Sequence, residues 1–322
     1  HDVELDPLIR LHYVEVQQPD MHDPSGDLRR LEDALEFEWR LTDLACDVIV
    51  LQQLQKALRQ GDWKVTVAVH AGKQIVAVWP GFREHAYGLA VDVGSTTIAA
   101  HLCHLASGEV VASAGLMNPQ IRFGEDLMSR VSYVMMNPGG EKEMTAAVRE
   151  ALNTLAADVA AQAGITPQDI LEATFVGNPI MHHLLLGIDP TELGGAPFAL
   201  ATDRAITLWA IEIDFAIHRN ARIYVLPCIA GHVGADTAGV LLAERPEARG
   251  VATVKRSVSD RELEQLHAAG VRGVRFNFVK RLVDFTPKDE LMEIAGRIAK
   301  WGWHVVIYFE AVDLPELWDF FT

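Results

Sequence analysis

The chain has 322 residues, 49% of them hydrophobic and 22% charged, and its formal net charge is −16 at pH 7. This length accommodates two or three domains with sizeable cores, and the apolar content argues against disorder. The negative charge argues against binding to nucleic acid or to an anionic membrane, and no apolar run reaches the roughly 18–20 residues that span a bilayer.

The three cysteines, Cys46, Cys103 and Cys228, are far apart in the sequence, and none has a C-x-x-C partner. Isolated thiols are typical of buried, reduced cysteines, so we expect a cytoplasmic protein without a zinc or iron–sulfur site built from them. Nothing at the start resembles a signal peptide. Because the chain begins at His1 rather than Met, we expect its natural amino terminus to lie further upstream.

Residues 1–86 read as a small α+β module without a catalytic cluster. Apolar residues at helical spacing predict its helices, with Asp27 as the cap of the first, and alternation predicts its hairpin. The predicted elements are an extended segment over 5–16, helices over 27–39 and 48–59, and a hairpin of 63–69 and 74–79.

From Tyr87 the composition becomes typical of an α/β nucleotide-binding domain. Short apolar runs bounded by turn residues predict the strands, and Gly164 closes the longer helix. The predicted strands cover 89–93, 97–105, 108–113, 174–178 and 222–227, and the predicted helices cover 141–163 and 235–243.

The first strand of this region leads into a candidate phosphate loop, Asp92-Val-Gly-Ser-Thr-Thr97. A carboxylate at a strand end, here Asp92, holds a hydrated Mg²⁺ or polarises water. Gly94 lets the backbone turn closely past an oxyanion, and Ser95, Thr96 and Thr97 offer hydroxyl and amide donors to phosphate oxygens. The alternative interpretation is an ordinary β-hairpin turn with solvated hydroxyls.

Three further polar groups have both a structural and a functional interpretation. The pair Glu125-Asp126 stands where a helix begins, and capping alone explains acids at that position. The adjacent His182 and His183 point about 100° apart on a helix, so packing or an interface is favoured over one shared metal. Asp236, at the start of a helix rich in small residues, is either an acid near the phosphate site or a cap.

Four strings, VDVGSTTIAAHL, NPQIRFGEDLMSRVSY, VGNPIMHHLLLG and LPCIAGHVGADTAG, occur in this order. Together they resemble the reductive activators of corrinoid proteins, over about residues 1–244. The resemblance implies that residues 1–86 are the family's middle domain and that 87–245 are the first lobe of an actin-like (ribonuclease H-like) ATPase domain. It also implies that Gly94 to Thr97 bind nucleotide, with Asp92 and Asp236 as catalytic residues.

In that family, ATP hydrolysis with Mg²⁺ is coupled to the reduction of Co(II) to Co(I) in a corrinoid protein. The resemblance therefore implies a corrinoid-protein partner and an external ferredoxin-like electron donor, since the family's iron–sulfur cluster is not encoded here. No second strand-D-x-G-[ST] motif follows the first. We therefore expect the activity to be impaired in this chain, with a non-catalytic docking fragment as one alternative.

Beyond residue 245 strands and helices alternate, which predicts a parallel sheet. The strings VKRSVSDRELEQLHAAGVRGVRFNFVKRLVD and WHVVIYFEA resemble the amidohydrolase-type lactonases that open 2-pyrone-4,6-dicarboxylate. Residues 246–322 would then be a fragment of a (β/α)₈ barrel, with Arg275, Arg281 and Tyr308 as ligands of substrate carboxylates. Hydrolysis of that lactone is the second alternative function. The spacing of the basic residues alone is equally consistent with solvated charges in loops.

Overall fold

The computed structural model describes residues 5–243, 249–278 and 286–321, and the chain divides into two compact units, His1–Gly239 and Val240–Thr322. Both are α/β, as the sequence predicts. Within the described residues, no helix combines the length and the apolar character that crossing a membrane requires.

The first unit opens with a four-stranded sheet in the order β1-β3-β4-β2. Apolar residues at helical spacing, such as Leu31 and Leu35, are buried against it together with strand residues such as Val67. The elements are β1 (Ile9–Glu15), α1 (Asp27–Trp39), β2 (Ala45–Cys46), α2 (Val48–Gln60), β3 (Lys64–His70) and β4 (Gln74–Pro80).

Both helices and the hairpin of this module lie where the sequence predicts them. The predicted cap of α1 is wrong, because Gly26 occupies the N-cap position and no side chain caps the helix. Asp27 is instead the first helical residue, and its carboxylate accepts a hydrogen bond from Arg59 of α2.

A six-stranded mixed sheet follows, in the order β7-β6-β5-β8-β10-β9. Strands β5, β8 and β10 are parallel, whereas β6, β7 and β9 pair in antiparallel fashion. Its elements are β5 (Tyr87–Val93), β6 (Thr97–His104), β7 (Val110–Met117), α3 (Leu127–Met136), α4 (Gly140–Gln162), β8 (Ile170–Gly177), α5 (Pro179–Leu186), β9 (Ile206–Trp209), β10 (Arg222–Val225) and α6 (Ala235–Ala243).

The long helix α4 packs against β6 and β7. Its residues Val148, Leu152, Leu155 and Val159 recur at helical spacing and are buried in one core with the sheet. Because β5, β8 and β10 run in the same direction, their carboxyl ends meet at one edge of the sheet. That edge carries the candidate phosphate loop.

The second unit contains a three-stranded parallel sheet in the order β11-β12-β13, which confirms the sheet predicted from the alternation. Its own core includes Leu263, Phe276, Ile294 and Trp303. The elements are β11 (Gly250–Ala252), α7 (Asp260–Ala268), β12 (Val271–Asn277), α8 (Lys288–Ile298), β13 (His304–Tyr308) and α9 (Leu314–Phe321).

Candidate functional site

The candidate phosphate loop joins β5 to β6 at the carboxyl edge of the parallel strands. Asp92 is exposed there. At Gly94, a Cβ atom would stand 2.4 Å from the carbonyl oxygen of Thr97, a distance that real Cβ contacts do not reach. The tight turn therefore requires glycine, which brings the backbone amides of the loop close together at the surface.

Asn118 fixes the conformation of this loop by hydrogen bonds to its backbone. Its side chain is fully buried, its Nδ2 donates to the carbonyl of Gly94 over 2.8 Å, and its backbone amide donates to the carbonyl of Thr96, also over 2.8 Å. Its Oδ1 accepts from the amide of Gln120. The side chain and the backbone amide of this one buried residue thus fix both sides of the turn.

Arg130, on α3, is the second buried support. Its side chain is fully buried, and its guanidinium donates to the carbonyls of Ser95 and Gly124. Burial lowers the pKa of Arg130, and the nearby Asp126 offsets this only in part. The guanidinium of Arg130 thus places a positive charge next to the backbone of the loop, at the carbonyl of Ser95.

Sequence reasoning did not identify Asn118 or Arg130 as functional residues. Both lie in the string NPQIRFGEDLMSR, which the resemblance uses. The acidic pair in the same string has the capping role expected for it, because Asp126 accepts from the amide of Ser129 in a capping box at the start of α3.

A second loop reaches the same edge before α6. At Gly234, a Cβ atom would stand 2.5 Å from the Cα of Asn178, so the loop lies directly against the end of β8. Asp236 follows in the first turn of α6 and accepts from the amide of Thr237. Partial burial of the Asp92 carboxyl, and after it the charge of Asp236, raise the pKa of Asp92. The two predicted carboxylates are therefore close enough for their charges to interact.

The adjacent histidines on α5 are both buried. His183 uses both ring nitrogens, since Nδ1 donates to the carbonyl of Pro179 over 2.8 Å and Nε2 accepts from the amide of Ala201 over 3.0 Å. No lone pair of His183 is left for a metal. This geometry agrees with a packing role.

In the second unit, the guanidinium of Arg275 lies over the ring of Tyr308, 4.7 Å from its centroid. Both residues are exposed on neighbouring parallel strands. Arg281 lies outside the described residues. The pair is thus brought together, and the role of all three residues as carboxylate ligands stays a prediction.

Within the part of the chain that the structure describes, no group of three or more His, Cys, Asp or Glu side chains is arranged to hold a metal ion. The free cysteines lie on β2, on β6 and after β10. These separate thiols do not fit an iron–sulfur cluster, which takes four clustered cysteines.

Comparison with known proteins identifies three matching segments. The family described as RACo linker region matches residues 1–85, the RACo middle region matches 87–247, and the family described as Amidohydrolase matches 229–322. The amidohydrolase segment is 92% identical over 76 residues to a 2-pyrone-4,6-dicarboxylate hydrolase of Comamonas testosteroni, covering 24% of this chain and 25% of that protein.

The corrinoid activation enzyme RamQ of Eubacterium limosum is 34% identical over 156 residues, which are 48% of this chain and 26% of RamQ. A solved reductive activator for a corrinoid, iron–sulfur protein has 30% identity and a TM-score of 0.67, covering 80% of this chain and 42% of that one. The chain spans about a quarter of the length of both curated relatives. Because the middle region alone matches half of its residues, the chain belongs to the RACo family of reductive activators of corrinoid proteins.

Proposed function

We propose that this chain takes part in the ATP-dependent reductive activation of corrinoid proteins, in which Co(II) is reduced to Co(I). The observation that carries the proposal is a braced phosphate loop at the carboxyl edge of a parallel sheet in a chain of the RACo family. Ligands of α/β proteins bind at such edges.

Residues 87–245 would form an actin-like ATPase lobe. The antiparallel succession β5, β6, β7, followed by β8 and β10 parallel to β5, supports this assignment. Gly94 to Thr97 would hold phosphate oxygens with their amides and hydroxyls, while Asp92 and Asp236 would hold hydrated Mg²⁺ or orient water. The absence of room for a Cβ atom at Gly94 supports a tight turn that depends on glycine.

The partners in this proposal are a corrinoid protein and an external ferredoxin-like donor. We place the donor outside these 322 residues, because their three cysteines do not fit a cluster. Opening of a pyrone dicarboxylate is not favoured as the function, since the hydrolase match covers 24% of this chain, whereas the RamQ match covers 48%.

Titration calorimetry of Mg²⁺–ATP against the protein tests the loop. We expect binding in the parent chain and in Asp158→Asn, an exposed carboxylate on α4, and none in Asp92→Asn. Because the pKa of Asp92 is raised, its ionised form costs stability at neutral pH, so Asp92→Asn should unfold at the same or a higher temperature. Absence of heat with the parent chain at millimolar nucleotide would refute the nucleotide site.

The cobalt reaction is tested by visible absorption of a Co(II) corrinoid protein with a one-electron reductant and this chain. ATP-dependent formation of Co(I) supports activation, and its absence with ATP bound would contradict it. Corrinoid-protein binding that ignores ATP would instead indicate a docking fragment. Pyrone opening that is lost in Arg275→Ala would indicate the hydrolase.

A further inference from the structure

Two solvent-accessible histidines, one exposed and one partly buried, meet where the first module joins the six-stranded sheet. His85 stands in the connection between β4 and β5, and His104 is the last residue of β6. The Nδ1 atom of His85 lies 3.1 Å from the Nε2 atom of His104. Neither residue belongs to the phosphate-loop site.

The backbone fixes both histidines in this position. Tyr87 and His104 are register partners in the pairing of β5 with β6, and the amide of Leu105 donates to the carbonyl of Ala86 over 3.0 Å. The two imidazoles are therefore held together by the ends of a β-ladder, so little conformational entropy remains to be lost when a ligand binds between them.

A polar group faces the far nitrogen of each imidazole, and for His104 it lies within hydrogen-bond distance. Nδ1 of His104 lies 2.8 Å from the hydroxyl of Ser107, and Nε2 of His85 lies 3.8 Å from a carboxylate oxygen of Glu84. Metal-bound histidines typically donate their second N–H to such a hydroxyl or carboxylate, which turns the other lone pair toward the metal. With the protons on the far nitrogens, the free lone pairs would lie on the two nitrogens that face each other.

We propose that His85 and His104 form a binding site for a borderline divalent cation such as Zn²⁺. With Zn–N bonds of about 2.0–2.1 Å, nitrogens 3.1 Å apart subtend an angle of roughly 100° at the metal, close to tetrahedral. His85 is exposed and His104 is partly exposed, so water completes the coordination. Imidazole selects Zn²⁺, Ni²⁺ and Cu²⁺ over Mg²⁺, which separates this site from the one at Asp92.

Such a metal would link the segment that matches the RACo linker region to the segment that matches the middle region, because His85 ends the former. Its binding does not depend on nucleotide. The competing explanation is a single hydrogen bond between two neutral imidazoles, which would give the same nitrogen–nitrogen distance without metal affinity.

Calorimetric titration of the untagged full chain with Zn²⁺ at pH 7.5 distinguishes the two. We expect one Zn²⁺ per chain, with affinity reduced at least about tenfold in His85→Ala and in His104→Ala, since even loss of a supporting contact costs a metal site that much. The matched control is His101→Ala, an exposed histidine on the same strand, which should retain binding.

Electron paramagnetic resonance with Cu²⁺ should show coupling to two nitrogens in the parent chain and to fewer in each variant. If either alanine variant fails to fold by circular dichroism, His85→Gln and His104→Gln replace them. Absence of Zn²⁺ binding to the parent chain, or unchanged binding in either folded variant, would overturn the site.

Discussion

At the scale of single residues, the arginine beneath the phosphate loop gives the sharpest stability prediction. Replacing Arg130 by Met leaves the partly buried carbonyls of Ser95 and Gly124 without this donor. We expect the free energy of unfolding to fall by roughly 3 kcal/mol, the usual cost of such unpaired groups, and Mg²⁺–ATP binding to weaken with it. Urea denaturation measures the former.

Arg122 is the matched control, because it is exposed and its guanidinium contacts only the ring of Phe123 among the interactions described for it. Arg122→Met should change the unfolding free energy by no more than about 0.5 kcal/mol. Equal effects of the two substitutions would show that the carbonyls near Arg130 do not depend on its guanidinium.

Two buried histidines predict a loss of stability in mild acid. Burial, and to a lesser degree its neighbour His183, lowers the pKa of His182 to about 4, and burial with the charge of Arg83 lowers the pKa of His218 to about 4. Between pH 6.5 and pH 4, both imidazoles are therefore neutral in the folded protein, whereas in the unfolded chain they bind protons. The free energy of unfolding is therefore highest above pH 6.5, and it decreases as the pH falls toward 4, because the unfolded chain gains these protons first.

From pH 7 to pH 5 we expect each histidine to lower the unfolding free energy of the first unit by roughly 2 kcal/mol. Denaturation at a series of pH values measures the slope, and His182→Gln or His218→Gln should flatten it. The exposed His22→Gln is the control and should leave the slope unchanged. A slope that survives both buried substitutions would exclude these histidines as its origin.

The sequence indicates which residue types form the loop, and the structure places Asp92 and Gly94 where that pattern puts them. It does not indicate what supports the loop. The contact from Asn118 to Gly94 joins residues 24 positions apart, and that from Arg130 to Ser95 joins residues 35 apart. Such pairings depend on how α3 and the sheet fold together, which local periodicity does not encode.

At the level of secondary-structure elements, we expect replacement of glycine by alanine to have opposite effects on stability at two positions. Gly94→Ala would drive a Cβ atom into the carbonyl of Thr97, so we expect a loss of about 1–3 kcal/mol and weaker nucleotide binding. Gly296 is exposed inside α8, with no atom within 4 Å of an added Cβ. Gly296→Ala should therefore stabilise its unit by about 0.5–1 kcal/mol.

Chemical denaturation of both variants checks the two signs. A stabilising effect of Gly94→Ala would mean that the turn relaxes without cost and does not require glycine. A destabilising Gly296→Ala would mean that α8 is not regular at this point. The two substitutions are chemically identical, so any difference between them reports only the local backbone and its surroundings.

Long periodic elements were predictable, and short ones only in part: the strand predicted over 222–227 is β10, whereas β9 was not predicted. The predicted helix over 27–39 has the same bounds as α1, because its apolar spacing continues to its end. The four-residue strand β9 was missed, since four residues carry too little alternation to be recognised and its pairing with β10 is what defines it. The cap of α1 was misassigned by one residue, because Gly26 takes the position before the acid.

At the scale of the whole molecule, the resemblance to two families corresponds to two compact units with separate cores. Local alternation predicted the parallel strands of the second unit, but not that it would bury residues such as Phe276 and Trp303. Burial depends on which helix covers which face of the sheet, and that information comes from the fold.

Because each unit buries its own core, we expect urea to unfold the chain in two transitions. Phe175 in the first unit and Phe276 in the second are both almost fully buried, and truncation of such a residue costs about 3–5 kcal/mol. Phe175→Ala should shift only the transition of the first unit, and Phe276→Ala only that of the second. Tryptophan fluorescence and backbone circular dichroism both follow the two transitions, because the first unit contains four tryptophans and the second contains Trp301, Trp303 and Trp318.

The double variant decides whether the units are energetically separate. If they are, its two transitions should each shift as in the single variants, to within about 0.5 kcal/mol, because substitutions without shared contacts are additive. A single transition that moves with either substitution would show that the units fold together, and the amidohydrolase-like segment would then contribute to the stability of the phosphate-loop unit. Two transitions with independent shifts would show that the first unit, which carries Asp92, folds without support from the second.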